Sequence, residues 1–316
     1  MKYYIKTFFL VFILTLLVDN CVDCGDKRIK DNFSEMKVSG NIEINNIKLP
    51  YAIEGTGTPC IVIAFKTAYQ RGFSSKLRNH FKLIFVDFPW SMADTTLVNP
   101  NNFNLDAILD YIDKVRIAFN HEKIAVVGHS IHGLVALEYA RKYSQFTSHV
   151  IAICPPYPNS RSTELVAKFW ESDASKERKA IFDSLQVKLS NELTTDLSAS
   201  EVWIKGYVAR GPKFWFNPAY DCSWILKGSE INRRLLNKFG SIFKEYTINN
   251  LSGKIDTPVF LALGRYDYVC PYVIWEGEND KIPNLYYKLF EKSGHWPMLE
   301  EQEVFDVELI GWLEKH

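Results

Sequence analysis

The stretch Val126–Gly133 reads VVGHSIHG and joins an apolar run to a helical pattern through one serine. Lys123–Val127 has the apolar character of a buried strand, and Ile131–Tyr143 has the spacing of a helix. Ser130 lies at the turn between them. A strand-to-helix turn of this kind is a nucleophile elbow, which holds a serine hydroxyl exposed at the edge of a sheet. Ser130 is therefore the candidate nucleophile.

Two later motifs supply the groups that a nucleophilic serine needs. A second apolar strand pattern ends in GRYD, which contains Asp267, and a third ends in SGHWP, which contains His295. Imidazole titrates near neutral pH, so His295 can accept the proton of the Ser130 hydroxyl. Asp267 would orient the ring and stabilise the imidazolium that forms. Serine, acid and histidine, in this chain order, predict a catalytic triad.

Strand and helix patterns alternate through most of the chain, which predicts a mostly parallel sheet with helices on both faces. An antiparallel hairpin is predicted at one edge, over residues 36–54, and a helix begins after the capping residue Asn104. The remaining early strands are predicted at Cys60–Phe65, Lys82–Val86 and His149–Cys154.

This alternation stops between residues 155 and 253, where the chain is helical and charged at first and then rich in aromatic residues. We expect a helical cap here, inserted into a core formed by residues 36–154 and 254–316. The cap aromatics are candidates for an apolar substrate wall, with ordinary packing onto the sheet as the alternative. The candidates are Trp203, Phe214, Trp215, Tyr220 and Trp224.

The first 24 residues have the pattern of a targeting segment. Lys2 and Lys6 precede an apolar run over Thr7–Val18, which is shorter than the roughly 20 residues that span a bilayer. We therefore predict a leader over residues 1–24 and an exported protein, secreted or periplasmic. Membrane anchorage through the N-terminus, for example at Cys21, is the alternative.

Charge and cysteine content exclude several functions. Lys+Arg and Asp+Glu are equal at 37 each, so the chain lacks the basic excess that favours nucleic-acid binding. The six cysteines include no Cys-x-x-Cys pair followed by a histidine cluster, so no zinc site is predicted and no metal or cofactor is implied. A small uncharged or weakly charged substrate fits this balance.

With the elbow, the acid loop and the histidine turn in place, the chain from about residue 36 resembles the α/β-hydrolase fold with a cap domain. Within that fold, GRYDYVCP at Gly264–Pro271 and SGHWP at Ser293–Pro297 are similar to the proline iminopeptidase-like branch. The resemblance implies a serine hydrolase. Its oxyanion hole would use the backbone amides of Ile131 and of Phe65 or Lys66.

Two departures from the family pattern affect what the resemblance implies. His132 stands where Gly-x-Ser-x-Gly ends in glycine, and Ala64–Thr67 replaces the usual His-Gly turn of the oxyanion hole. We expect His129 to pack beneath the elbow and the side chain of His132 to point away from Ser130.

Three functions are compatible with these motifs. The first is hydrolysis of a small ester or amide through an acyl-enzyme. The second is removal of an N-terminal proline from a short peptide, which needs an acidic side chain to pair with the substrate amine. The third is ligand binding without turnover on a hydrolase scaffold. Candidates for the acid that the second function needs are Glu164, Glu171, Glu201 and Glu230.

Overall fold

A computed structural model describes residues 37–93, 98–156, 160–244, 246, 250–251, 255–277 and 281–316. These residues lie within one compact unit, Glu35–His316. The leader predicted over residues 1–24 lies outside the described residues and stays a prediction. No helix in the described ranges is both long enough and apolar enough to cross a membrane.

Eight strands form one mixed sheet, with the spatial order β1-β2-β4-β3-β5-β6-β7-β8. The first two strands form the predicted hairpin, which turns at Asn45 and Asn46, both with positive φ. The pairs β1/β2 and β2/β4 are antiparallel, and the other pairs are parallel. The strands are β1 Lys37–Ile44, β2 Ile47–Glu54, β3 Thr58–Ile63, β4 Phe81–Val86, β5 Ile124–His129, β6 Thr147–Ile153, β7 Val259–Gly264 and β8 Leu285–Phe290.

The central strands are buried on both faces because helices cover both sides of the sheet. In β3, Ile61 and Ile63 belong to one apolar core with the helices α2 (Leu105–Ala118) and α3 (Ile131–Lys142). The alternate residues Cys60 and Val62 belong to the other core. That second core includes the helices α1 (Lys66–Gly72) and α11 (Gln302–Leu313).

Two differences from the predicted elements concern helix boundaries. The sequence predicts one closing helix from about Leu299 to Leu313, but the structure divides this part of the chain into α10 (Pro297–Glu300) and α11. α1 was not predicted, since Phe65, which precedes it, has left-handed φ and ψ and makes no side-chain capping bond. α2, by contrast, begins as predicted, with the Asn104 side chain accepting a hydrogen bond from the Ala107 amide.

Between β6 and β7 every regular element of the described residues is a helix. The side chains of Tyr207, Phe214 and Leu226 from this segment join the core that contains α1. The segment therefore packs against the molecule at the end where the triad candidates lie. Its helices are α4 Ser160–Asp173, α5 Lys176–Glu192, α6 Ala199–Ala209, α7 Gly211–Phe214, α8 Ser223–Leu226 and α9 Arg233–Ile242. We call them the inserted helices.

Candidate active site

Ser130 occupies a strained turn between β5 and α3. Its φ of 56° and ψ of −133° lie outside the regions that side-chain-bearing residues prefer. The Ser130 amide donates to the Ile153 carbonyl at 2.8 Å, and the Ser130 carbonyl accepts from the Gly133 amide at 2.8 Å. Gly128 allows this tight turn, because a Cβ at that position would lie 1.9 Å from the His132 carbonyl oxygen. The backbone therefore holds the serine at the elbow.

Asp267 and His295 form a buried pair, with exposed fractions of 0% and 2%. The His295 Nδ1 and the Asp267 Oδ2 are 2.6 Å apart. The other carboxylate oxygen, Oδ1, accepts from the backbone amides of Val269 at 2.9 Å and Cys270 at 2.8 Å. These two amides orient the carboxylate, which in turn orients the imidazole ring.

A cavity of about 230 Å³ connects the serine with the histidine. Ser130 and His295 both line this cavity, and Asp267 lies behind His295, away from it. The structure thus brings the three predicted triad residues together. The lining is completed by Phe65, Ala68, Tyr69, His129, Ile131, His132, Trp203, Tyr207, Arg210, Phe214, Leu226, Leu236, Val269 and Trp296.

Of the predicted oxyanion-hole residues, Ile131 and Phe65 line the cavity, and Lys66 does not. The Lys66 amide donates to the Asp87 Oδ1 at 2.8 Å, so it is not free to bind an oxyanion. This corrects the assignment of Lys66. Ala64 and Phe65 both have positive φ, of 69° and 45°, so the chain turns sharply without a glycine. Burial raises the pKa of the Asp87 carboxyl to about 6.

Two of the predicted pocket aromatics line the cavity. The Trp203 ring stacks on the Phe65 ring, with their centroids 5.1 Å apart and their planes at 15°. The Phe214 ring lies 5.3 Å from the His295 ring, and the Phe214 carbonyl accepts from the His295 amide. These contacts join the inserted helices to both the oxyanion turn and the histidine turn.

The other three aromatics do not line the cavity, which corrects the predicted pocket. Trp215 directly follows Phe214, the last residue of α7, and has extended backbone, so the chain leaves the helix at this point. Trp215 is buried against Trp296 and Tyr220, with centroid distances of 6.0 and 4.8 Å. Trp224 is 43% exposed and donates to the Tyr220 hydroxyl at 3.0 Å.

His129 packs beneath the elbow, as expected, and supports the neighbouring histidine. Its Nε2 donates to the His295 carbonyl at 2.7 Å, since a carbonyl can only accept. Its Nδ1 then accepts from the Tyr69 hydroxyl at 3.0 Å. Burial holds the pKa of His129 well below its usual value, so the ring is neutral. No sequence motif marks Tyr69, because it lies on α1, a short helix that begins without a capping side chain.

His132 lines the cavity, but its Nε2 already accepts a hydrogen bond. The Trp90 indole donates to the His132 Nε2 at 3.0 Å, and burial lowers the pKa of His132 to about 3. The ring lies against Trp90 and Phe239. Gly133, one position later, supplies the close approach that the family glycine normally gives, since a Cβ there would lie 2.8 Å from the Pro155 Cβ.

None of the four glutamates considered for amine binding lines the cavity. Glu164 and Glu171 pair with the exposed side chain of Lys168 and with Lys179. Glu201 caps α6 and Glu230 accepts from Ser200. The charged residue of the lining that sequence analysis missed is Arg210, just after α6. No sequence pattern distinguishes it from the other cations of the inserted helices.

One group in the described residues has the composition of a metal site. The ligand atoms of Cys154, Asp267 and His295 lie within 4.8 Å of one another, and all three residues are buried. The His295 Nδ1 and Asp267 Oδ2 are already joined by their 2.6 Å hydrogen bond, which a metal ion would have to break.

Comparison with known proteins agrees with this architecture. Residues 66–302 match the alpha/beta hydrolase fold family, and the chain belongs to that family. The AB hydrolase superfamily protein YclE of Bacillus subtilis (strain 168) is 29% identical over 283 residues, which cover 89% of this chain and 100% of that protein. A proline iminopeptidase of Clostridioides difficile (strain 630) is 25% identical over 235 residues, covering 68% of this chain and 74% of that protein.

Among solved structures, an alpha/beta fold family hydrolase from Bacillus anthracis str. Sterne superposes with a TM-score of 0.64 at 17% identity. The match covers 87% of this chain and 99% of that one. The predicted fold class and the resemblance to the proline iminopeptidase-like branch are confirmed, and the protein is a hydrolase.

Proposed function

We propose that this hydrolase cleaves a small carboxylic ester or amide through an acyl-enzyme on Ser130. One observation carries the proposal: Ser130, at a strained elbow, faces the same cavity as His295, whose Nδ1 is held 2.6 Å from the Asp267 carboxylate. That arrangement supplies the nucleophile, the base and the group that orients the base.

The proposed reaction begins at the imidazole. The Nδ1 proton of His295 is shared with Asp267, which leaves Nε2 with a lone pair to accept the Ser130 proton. The Ser130 oxygen then attacks the substrate carbonyl carbon, and the carbonyl π electrons move onto its oxygen. When the tetrahedral intermediate collapses, His295 returns the proton to the leaving alcohol or amine. Water, deprotonated by His295, then attacks the acyl carbonyl carbon. The bond between that carbon and the Ser130 oxygen breaks, His295 returns the proton to the Ser130 oxygen, and the acid is released.

The negative oxygen of the intermediate would be bound by the amides of Ile131 and Phe65. Both residues line the cavity, and Ile131 opens α3, where unpaired amides and the helix dipole favour a negative charge. A donor of this kind contributes about 3–4 kcal/mol of transition-state stabilisation. The left-handed backbone at Phe65 takes the place of the glycine turn that other family members use.

Aminopeptidase action on an N-terminal proline is the second candidate, supported by the relatives that carry that name. It needs a negative side chain near the substrate amine. The described lining of the cavity contains no Asp or Glu and does contain Arg210, which is unfavourable for a cationic amine. Ester or amide hydrolysis is therefore the better supported of the two.

Labelling with a fluorophosphonate probe tests the proposed function. We expect the wild-type protein to react and both Ser130→Ala and His295→Ala to lose the label while keeping a native circular dichroism spectrum. Ser172→Ala is the matched control, because its hydroxyl bonds to a carbonyl within α4, away from the cavity. Labelling of a folded Ser130→Ala variant, or none of the folded wild type, would contradict the proposal and favour ligand binding without turnover.

A further inference from the structure

The charge of the cavity is unbalanced. Among the described lining residues, Arg210 carries the one permanent charge, and none carries a carboxylate. His129 and His132 are kept neutral because burial lowers the pKa of each. Apolar side chains, among them Trp203, Leu226 and Leu236, line the same cavity. A substrate that enters this cavity therefore meets a positive charge next to an apolar surface.

Arg210 is anchored at one end of its guanidinium. Its Nε donates to the Gly206 carbonyl one turn earlier, at 3.0 Å, and its Cζ lies 5.5 Å from the centroid of the Phe214 ring. Phe214 in turn contacts the ring of His295. The Arg210 guanidinium is thus fixed relative to the proposed reaction centre by the α6 backbone and by one shared aromatic ring.

The guanidinium has no carboxylate partner within the described ranges. The ion pairs nearest to it along the chain join Lys205 and Lys188 to Glu192. The Arg210 side chain is exposed, which leaves it accessible to a ligand. Partial desolvation lowers its pKa, and the opposing effect comes from Tyr207 rather than from an acid. Other arginines of the inserted helices are used in the structure: Arg178, for example, donates to three backbone carbonyls. Arg210 has donors to spare.

We propose that Arg210 binds a carboxylate of the substrate, so that the preferred substrates are small esters or amides that also carry a carboxylate group. The proposal rests on the proposed hydrolysis at Ser130 and adds the chemical class of its substrate. A guanidinium pairs with a carboxylate through two parallel hydrogen bonds, which fix the orientation of the bound group as well as its charge. A cationic amine at the same place would be repelled.

Paired substrates test the inference kinetically. In the first pair the carboxylate is on the acyl group: the p-nitrophenyl half-ester of glutaric acid is compared with the neutral p-nitrophenyl pentanoate. In the second pair the carboxylate is on the leaving group: 4-carboxyphenyl acetate is compared with the neutral phenyl acetate. In at least one pair we expect the anionic ester to have the higher kcat/KM. Arg210→Gln is expected to lower that anionic-to-neutral ratio roughly 10–100-fold, the effect of a lost charge-assisted hydrogen bond.

Lys205→Gln is the matched control. Lys205 is a cation on α6, the helix that ends just before Arg210; it pairs with Glu192 and does not line the cavity. This variant should keep the wild-type ratio for both pairs. An anionic-to-neutral ratio that is the same in wild type and Arg210→Gln for both pairs would overturn the inference, while hydrolysis of the neutral esters would leave the proposed function intact.

A binding measurement separates the inference from catalysis. Glutarate is titrated calorimetrically into Ser130→Ala and into the double variant Ser130→Ala, Arg210→Gln. We expect the double variant to bind glutarate at least roughly tenfold more weakly. If the wild type hydrolyses no ester but this difference is found, the proposed function fails and carboxylate binding at Arg210 stands. Equal affinities, or none, count against Arg210 whatever the esterase assay gives.

Discussion

Three histidines lie close to the proposed nucleophile, and their hydrogen bonds give them different roles. His295 shares its Nδ1 with a carboxylate, so its other nitrogen is free to act as a base. His129 uses both ring nitrogens, one of them to hold the His295 backbone. His132 accepts from Trp90 and is neutral because burial lowers its pKa to about 3. At the scale of single residues, the hydrogen-bond partners of each histidine, and not its place in the sequence, decide whether it can act as a base or only supports the structure.

His132→Ala is expected to lower stability much more than it lowers the chemical rate. The variant removes a buried ring and leaves the Trp90 indole without its acceptor, which together cost about 2–4 kcal/mol of unfolding free energy. Chemical denaturation measures this loss, and steady-state ester turnover per mole of folded protein measures the rate. We expect the rate to fall less than about tenfold, against about a thousandfold or more for His295→Ala.

His132→Gln is the control for that prediction. Its amide oxygen can replace the acceptor for Trp90, so part of the lost stability should return. A rate loss in His132→Ala as large as in His295→Ala would show that His132 takes part in the reaction.

At the scale of elements, one hydrogen bond connects the ends of two parallel strands to the oxyanion turn. Asp87 follows β4, and its carboxylate accepts from the first amide of α1, which follows β3. A carboxylate at this position satisfies an unpaired amide and complements the positive end of the helix dipole. It thereby stabilises the left-handed conformation of Ala64 and Phe65, which no glycine supports.

Asp87→Ala should therefore affect both stability and rate. Loss of this cap costs about 1–2 kcal/mol, and a displaced Phe65 amide should lower kcat about tenfold or more, since one oxyanion donor is worth at least a hundredfold. Thermal unfolding and steady-state kinetics on an ester measure the two effects. Asp87→Asn keeps an acceptor oxygen, so its stability and its kcat should be much closer to those of the wild type. Equal kcat values for Asp87→Ala and wild type would exclude this role for the turn.

At the scale of the whole molecule, the inserted helices and the catalytic loops are joined by polar contacts. Glu300 accepts from the Gly294 amide beside the proposed base and from the Phe216 amide of the inserted segment, each at 2.7 Å. Arg265 of the acid loop pairs with Asp173 at the end of α4. The shape of the cavity and the positions of Asp267 and His295 therefore depend on one another.

This arrangement makes stability depend on pH through Glu300. Burial of its carboxyl group raises the pKa to about 8, opposed by the two amides and by the charge of Arg178 and reinforced by that of Asp267. Between about pH 4.5 and 8 the unfolded chain releases a proton that the folded protein retains. The stabilisation is present below pH 4.5 and is lost as pH rises towards 8, by up to about 1.4 kcal/mol per pH unit.

Glu300→Gln removes this titration. We expect the unfolding free energy of the wild type, minus that of the variant, to fall as pH rises from 4.5 to 8. Urea denaturation at several pH values measures the difference. The unfolding free energy of the variant is also lowered by an amount that does not depend on pH, because the glutamine side chain can accept from only one of the two amides. A difference that does not change with pH would contradict the raised pKa of Glu300.

From the sequence one can predict the succession of strands and helices along the chain, the elbow at Ser130, and the acid and histidine that follow later strands. These features depend on local periodicity and on chain order, which are readable without a structure. The tertiary structure decided the rest. It showed that Lys66 gives its amide to Asp87, that Trp215 turns away from the cavity while Phe214 faces it, and that Arg210 is the cavity's cation. Each of these three findings depends on contacts between segments that are far apart in the chain. A local sequence pattern does not predict which of their side chains are in contact.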